Sequence, residues 1–346
     1  MSRLAISIGC PCGVGPEVSL LGALAVPGTL LVGDIGAVKA AARAHGIPAA
    51  KIVRVDEPRY SDGKTVLVWQ PTETLAAAER APGKPGRAAG AAQLAWVDAA
   101  TDLVAAGAAD ALVTGPVSKD AIARSGARGA KKFRGHTEHL AERLGAPEVT
   151  MAFWTEKLTT SLVTTHLALA DVPAAITKAE VARAAYWTAR FVRDLGATGT
   201  VAIAALNPHA GEGGLLGEEE IDVIAPAIPL ARKRLAKAKV DVALAGPIPA
   251  ESAFRLAANG AFAAVVAMYH DQATIPMKLL GFGEAVNVSL GLPIVRTSVD
   301  HGTAYDRAGK GTADARGMIE ALRLGARLSG SAGTAGTRGT SRRART

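Results

Sequence analysis

Thr200–Gly214 reads TVAIAALNPHAGEGG. Thr200–Ala205 is an apolar run of strand length, and Asn-Pro followed by glycines ends it. His209 is therefore delivered into a turn at the carboxyl end of a buried strand. The same design occurs twice more: Thr159–Thr165 (TTSLVTT) ends on His166, and Ala263–Tyr269 (AAVVAMY) ends on His270. In open α/β sheets ligands bind at that edge, so three neutral imidazoles placed there predict an open metal site with room for substrate or water. Their spacings, 43 and 61 residues, add nothing. The placement of all three alone argues for a site, since any one of them taken singly reads more readily as a satisfied loop or core histidine, and the three together balance the two readings.

Working outward, Leu4–Ile8 predicts a first strand, the loop GCPCGVG follows, and Pro16-Glu17 opens an apolar helix with Pro and an acid in its first turn. The loop ends without Gly-Lys-Ser/Thr and does not match GxGxxG, so it is neither nucleotide fingerprint. Anion binding and simple chain reversal both stay open for it. Strands are expected at Leu30–Gly33, Thr65–Trp69 and Asp110–Thr114, and helices at Val38–Gly46 and Ala92–Ala106. Residues 71–91 read as a surface excursion, and Lys119 lies just beyond the third of those strands. His136–Leu144 predicts a helix with Thr137 near its start and Gly145 as its stop. Its N-terminus, flanked by Lys132, Arg134 and His136, is either a ready anion site or an ordinary capped end.

Beyond His166 the pattern predicts helices at Lys178–Leu195, Glu218–Leu235 and Glu251–Asn259, with Ala245–Pro249 (AGPIP) as a turn. Asp271, next to His270, is placed to orient that imidazole, and Lys278 follows. Asn287–Leu290 and Ile294–Thr297 read as strands, the second carrying Arg296. A polar, glycine-spaced loop, Ser298–Ala315, then precedes a helix at about Met318–Leu328. Strand and helix patterns alternate throughout, which predicts an α/β fold with largely parallel strands.

Length and charge bound the rest. At 346 residues the chain has room for two cores, and 49% hydrophobic with 20% charged residues is the mix of a globular protein. The net charge of +8 does not point to nucleic acid: half of it sits in Ser329–Thr346, which reads as a disordered arginine tail. A second basic cluster, Arg232–Lys239 (RKRLAKAK), reads as a solvated helix face, and no aromatic residues alternate with either. Cys10 and Cys12, the only cysteines, cannot staple a fold. With no signal-peptide pattern and no apolar run of membrane-spanning length, a cytoplasmic protein without membrane partners is expected.

Seven segments together carry a resemblance: Gly9–Glu17 (GCPCGVGPE), Leu112–Lys119 (LVTGPVSK), Gly135–Glu138 (GHTE), Thr164–Leu167 (TTHL), Leu206–Gly214 (LNPHAGEGG), Ala267–Gln272 (AMYHDQ) and Gly291–Ala304 (GLPIVRTSVDHGTA). In this order they resemble the 4-hydroxythreonine-4-phosphate dehydrogenase family of pyridoxal phosphate biosynthesis, over essentially the whole globular chain. A weaker likeness links His301–Gly311 (HGTAYDRAGKG) to the loop with which isopropylmalate and isocitrate dehydrogenases contact the adenosine half of NAD(P). The resemblance implies a two-domain isocitrate/isopropylmalate dehydrogenase-like fold with an interdomain cleft, not a GxGxxG Rossmann fold. One domain would comprise 1–120 plus 290–328, the second 121–289, and 329–346 the tail.

The resemblance implies a homodimer whose active sites draw residues from both subunits. His166, His209 and His270 match the family's metal ligands, for a divalent ion such as zinc, cobalt, magnesium or manganese. His136, Thr137, Lys278, Asn287 and Arg296 match its substrate contacts, and His301, Gly302, Thr303 and Ala304 fall in the loop expected to meet NAD or NADP. The implied reaction is oxidation of 4-phosphooxy-L-threonine, then decarboxylation to 3-amino-2-oxopropyl phosphate. Catalysis would rest on the three histidines and on Lys278 as general acid/base or charge stabiliser. The chain departs from the family at Cys10-Pro11-Cys12, where an acidic residue, Pro and Ala are expected. That departure keeps open a sibling dehydrogenase acting on 4-phospho-D-threonate or erythronate. A metal-dependent hydrolase, a phosphate-handling transferase and a solute-binding protein are the readings from other classes.

Overall fold

The computed structural model describes residues 1–335. Its first stretch alternates strand and helix: β1 (Leu4–Ser7), α1 (Gly15–Ala25), β2 (Thr29–Val32), α2 (Ile35–Ala44), β3 (Ile52–Val55), β4 (Val66–Trp69), α3 (Arg87–Ala105) and β5 (Ala111–Thr114). The middle of the chain supplies α4 (Lys119–Arg124), α5 (His136–Leu144), β6 (Thr150–Trp154), β7 (Thr159–Leu162), α6 (Val172–Ala175), α7 (Lys178–Asp194) and β8 (Thr200–Ala204). A π-helical turn, Glu220–Ile224, then runs into α8 (Ala225–Lys237). It is followed by β9 (Ala243–Ile248), α9 (Ala250–Ala258), β10 (Ala264–Ala267), α10 (His270–Gly281), β11 (Val286–Leu290), β12 (Arg296–Val299) and α11 (Arg316–Ala335).

Among the described residues, twelve strands form one sheet in the order β3-β4-β2-β1-β5-β12-β11-β6-β7-β10-β8-β9. The block from β3 to β12 is parallel, and so is the block from β7 to β9. Between them β11 is antiparallel to both β12 and β6, and β6 is antiparallel to β7. The two blocks consequently run in opposite senses across a two-strand seam. Helices cover the faces, which is why β1, β2, β5, β7, β10 and β12 are buried along their whole length.

Strand periodicity sorts the core. In β8, Val201 and Ile203 face one cluster with α7 and α8, while Ala202 and Ala204 face another with α9 and α10. The first block has its own large cluster, in which α11 lies close against α1. A Cβ on Gly22 would stand 2.7 Å from Met318 Cγ, so only glycine permits that approach.

Three strands were not legible in the sequence. β3 (IVRV) carries a charged residue and is half exposed, β6 (TMAFW) lacks a β-branched run, and β9 contains Gly246-Pro247 inside the segment expected to be a turn; as the last strand of the sheet it tolerates a proline. Helix α10 was also missed, because Pro276 interrupts its pattern, although Ala273, Thr274, Met277 and Gly281 form a buried helical face. The basic run of α8 is not simply solvated: Arg232 donates to Leu244 O, and Arg234 pairs with Glu148 and stacks 4.2 Å from the Tyr186 ring. Helix α11 continues to Ala335, so residues 329–335 of the expected tail are helical, and 336–346 lie outside the described residues. No described helix is long and apolar enough to cross a membrane.

Candidate active site

A cleft of about 240 Å³ is lined by the loop after β5, by α4, α5, β6, β11 and β12, and by the turns after β7, β10 and β12. Chain reversal at its floor depends on glycine. A Cβ on Gly9, at φ +76°, would lie 2.3 Å from Pro116 O, so glycine here lets the loop after β1 pass close to the loop after β5, whose Pro116 and Val117 line the cleft.

Arg296, at the start of β12, is 3% exposed and has no carboxylate partner. Its Nη1 donates to Asn287 Oδ1 (3.0 Å) and Ser289 Oγ (3.1 Å), and its Nη2 to Thr114 Oγ1 (2.6 Å), while Nε is buried without a partner. That leaves the Nε–H and one Nη2–H, donors on two nitrogens that share one edge of the planar guanidinium, the arrangement that grips an oxyanion with two bonds. Burial pushes this guanidinium down to about 9, partly countered by Glu138, so it stays charged at neutral pH. A buried, charged and incompletely satisfied group of this kind is costly unless an anion joins it.

Thr137 and His136 bring α5 to the same corner. Thr137 Oγ1 lies 3.0 Å from Ser289 Oγ, and His136 Nε2 is buried without a hydrogen-bond partner. Burial, then the positive charges of Arg296, His139 and Lys119, hold His136 well below the ordinary histidine range, so it is neutral. Gly135 occupies the N-cap and offers no side chain; the first backbone bond of α5 is His139 N–H to Gly135 O. Gly145 at φ +63° stops the helix as the sequence predicts.

On the opposite wall, parallel neighbours β7 and β10 deliver His166 and His270 with ring centroids 5.5 Å apart. Thr164 N–H and its hydroxyl both donate to Met268 O, which ties the two turns together. Gln272 fastens the second turn further, accepting from Met268 N–H and donating to Ala205 O at the end of β8. His270 Nδ1–H donates to Asp271 Oδ1 at 2.7 Å, which leaves Nε2 as the nitrogen available to a ligand. Burial, then Lys119 and His270, lowers the His166 pKa, with Glu138 opposing, which favours the neutral, ligating form.

His209 goes elsewhere. It is exposed and does not line the cleft, although β8 is the other neighbour of β10. His209, Ala210, Gly211, Glu212 and Gly213 all have φ between +47° and +80°, a left-handed turn that non-glycine residues rarely adopt. Buried Glu220, in the π-helical turn, holds it: Oε1 accepts from the N–H groups of Leu206 (2.7 Å) and Asn207 (2.8 Å), and Oε2 from Asn207 Nδ2 (2.9 Å). Among the described residues of one chain, no three His, Cys, Asp or Glu side chains stand close enough to hold a metal ion.

A second, larger pocket of about 490 Å³ shares Asp300, His301 and Gly302 with the cleft and continues past Ala304, Arg307 and Lys278. Its loop is clamped to the N-terminal glycine loop. Val14 N–H donates to Thr303 O, and buried Glu17 accepts from Gly309 N–H (2.7 Å) and from His45 Nε2 (2.7 Å). The glycine loop thus uses its amides on the protein itself, which favours chain reversal over anion binding. Cys10 and Cys12 are buried and turned from the cleft: Cys10 Sγ lies 3.7 Å from Tyr305 Oη, and Cys12 Sγ donates to Glu79 O.

The structure therefore brings His136, Thr137, Asn287, Arg296, His166 and His270 into one cleft, and His301, Gly302 and Ala304 to the pocket beside it. Lys278 lines the second pocket rather than the cleft, near Asp300. Sequence reasoning missed Lys119, Glu138 and Asp300 as lining groups. Lys119 and Asp300 lie just past strand ends, a signal that was available; Thr114 and Ser289, as buried strand residues, gave none.

Two adjoining pockets, one ending in an unpaired buried guanidinium and the other walled by a glycine-rich loop, define an α/β cleft enzyme for a small anionic substrate and a second ligand. Residues 26–325 match the family model described as pyridoxal phosphate biosynthetic protein PdxA, and the chain belongs to that family. It is 42% identical to a 4-hydroxythreonine-4-phosphate dehydrogenase of Geobacter metallireducens, over 96% of this chain and 97% of that protein. It is 40% identical to a protein of Bradyrhizobium diazoefficiens provisionally named D-threonate 4-phosphate dehydrogenase, over 95% and 97%. The crystal structure of the 4-hydroxythreonine-4-phosphate dehydrogenase from Klebsiella pneumoniae superposes with a TM-score of 0.81 at 33% identity, covering 95% of this chain and all of that one.

Proposed function

We propose that this protein is a metal-dependent, NAD(P)-linked dehydrogenase that oxidises 4-phosphooxy-L-threonine, with loss of CO2 to give 3-amino-2-oxopropyl phosphate for pyridoxal phosphate biosynthesis. The observation that carries this reading is the shared wall Asp300–Gly302, which joins the anion-seeking cleft to the pocket of the glycine-rich loop. Hydride transfer needs such an arrangement: the secondary alcohol on one side of the wall and the nicotinamide on the other, in reach of each other.

The donor set of the opposite wall suits a divalent cation. His166 and His270 are neutral-type ligands at a ring separation close to that of two imidazoles on one ion, and Asp271 fixes the tautomer of the second. His209, turned outward, supplies the third imidazole to a second copy of the chain, which makes a homodimer the working unit. A divalent ion bound there supplies Lewis acidity at the alcohol and carbonyl oxygens. Arg296 and the α5 N-terminus orient the substrate through an anionic end. Asp300, on the shared wall, would take up the alcohol proton, with Lys278 near it on the nucleotide side; burial raises the Asp300 pKa, and Lys278, His270 and His301 oppose that rise. His301, Gly302, Thr303 and Ala304 form the nucleotide wall. In domain terms, 1–120 with 290–328 carries that wall and 121–289 carries the metal and most substrate groups.

The test is formation of reduced nicotinamide from 4-phosphooxy-L-threonine by purified protein, before and after chelation and restoration of a divalent ion. Activity that disappears on chelation and returns with metal supports the reading. Activity on 4-phospho-D-threonate alone moves the protein to the sibling reaction, the one named for the Bradyrhizobium relative. Absence of turnover with either substrate by folded, metal-loaded protein refutes the dehydrogenase reading.

A further inference from the structure

One cation of the cleft has no task in the reaction above. Lys119 opens α4, whose start is fixed twice: Ser118 Oγ caps it by accepting from Ala121 N–H, and Ser118 N–H donates to Oε1 of buried Gln93. The Lys119 side chain reaches from there over the first turn of α5, with Cε and Nζ 3.5 Å from the point where a Cβ on Gly135 would stand. It lines the cleft and makes no hydrogen bond or ion pair among the described residues. It shares the cleft lining with His136 on one wall and His166 on the other.

Beneath it lies a helix end without a side-chain cap, with the Glu138 carboxylate beside it: its Oε2 is 2.9 Å from that same Cβ point. The N–H groups of His136, Thr137 and Glu138 precede the first backbone bond of α5, and Gly135 gives no side-chain cap. Uncapped first-turn amides with the helix dipole behind them bind anions. The independent sign of a missing ligand is Arg296, 3% exposed, with Nε unpartnered on the same cleft and linked to Thr137 through Ser289. Two cations and a set of amides match a phosphate monoester, which carries close to two negative charges at neutral pH.

We propose that Lys119 is a substrate-contacting residue, its ammonium closing over a phosphate that the first turn of α5 and the free edge of Arg296 hold from below. This rests on the phosphorylated-substrate reading. It assigns the phosphate to this corner and leaves the carboxylate end of the substrate to the histidine wall. A lysine suits the role because the partner is a point charge approached from solvent, whereas the buried position calls for the planar fork of Arg296.

The experiment titrates inorganic phosphate into the wild type, Lys119→Ala and Lys119→Gln by calorimetry, and follows steady-state kinetics of the same proteins. The wild type is expected to bind phosphate, and both variants to bind it about tenfold or more weakly, with unchanged thermal stability because the side chain has no partners to lose. KM for the phosphorylated substrate rises by a similar factor while kcat and metal content hold, and Lys119→Arg recovers part of the affinity. Phosphate binding equal to wild type in both variants overturns the assignment and leaves the anion cleft standing. A fall in kcat with KM intact overturns it in favour of a chemical role. A wild type that does not bind phosphate overturns it together with the anion cleft itself.

Discussion

Replacing Arg296 with methionine separates a binding arginine from a structural one. The guanidinium donates three hydrogen bonds to neutral partners, Asn287, Ser289 and Thr114, each a contribution of about 1 kcal/mol. Against them stands the burial of a charge with no counterion, which costs several kcal/mol. The two effects oppose each other, and the orphaned Asn287, Ser289 and Thr114 oxygens add a cost of about 1 kcal/mol each, so methionine of similar length is expected to lower unfolding free energy by no more than about 3 kcal/mol. Substrate binding has no such offset. Two charge-assisted bonds to an anion are worth about 3 kcal/mol together, so kcat/KM is expected to fall about 100-fold. Denaturant unfolding and initial-rate measurements on the same preparation give both numbers. A variant destabilised by several kcal/mol with kcat/KM within a factor of about three of wild type refutes the reasoning, since it would make Arg296 a strut between β5, β11 and β12.

Three more outcomes follow from contacts described above. Glu220→Gln replaces an acceptor that receives three N–H donors with a side chain that must present a donor to one of them; hydrogen exchange of 206–217 should accelerate and metal affinity drop, and unchanged exchange there would show the left-handed turn holds itself. Glu17→Ala frees Gly309 N–H and unpins the glycine-rich loop, so KM for the nicotinamide nucleotide should rise with kcat little altered, and an unaltered KM would detach that loop from the nucleotide. His136 is held below its ordinary value of 6.5, chiefly by burial, so the unfolded chain takes up the proton first. Stability is therefore full above that value and declines as pH falls below it. His136→Asn should flatten that decline, and an identical pH slope in the variant would place the titration elsewhere.

Much of this was legible because the histidine wall is built from strand ends. Apolar runs that stop at a histidine gave His166, His209 and His270 their places on β7, β8 and β10, and those three strands are indeed adjacent. The pattern gave no hint that His209 points away from its neighbours, because the direction of a turn depends on backbone dihedrals and on Glu220, eleven residues further on. Arg296 and Asn287 were visible only as polar residues inside apolar strands; their partners Thr114 and Ser289 carry no periodic signal. Lys278 was legible as a charge near His270, but the unforeseen helix α10 carries it to the neighbouring pocket. Proline misled in both β9 and α10, each a site where tertiary contacts overrule its local preference.

The place of β12 in the sheet has a consequence for synthesis. β12 is inserted between β5 and β11, and α11 then closes over α1 and β5, with Gly325 against Ala111 and Val113. A chain emerging from the ribosome therefore makes β1 to β5 early, yet keeps one edge of β5 bare while the whole second block is translated. Bare strand edges invite wrong pairing, and domains otherwise tend to fold as soon as they emerge. Here the first block waits for residues 296–299, and the strand that ends the wait is the one that carries Arg296. Completion of the sheet and arrival of the anion-binding charge are one event, so a chain truncated before it has neither a closed first block nor a competent cleft.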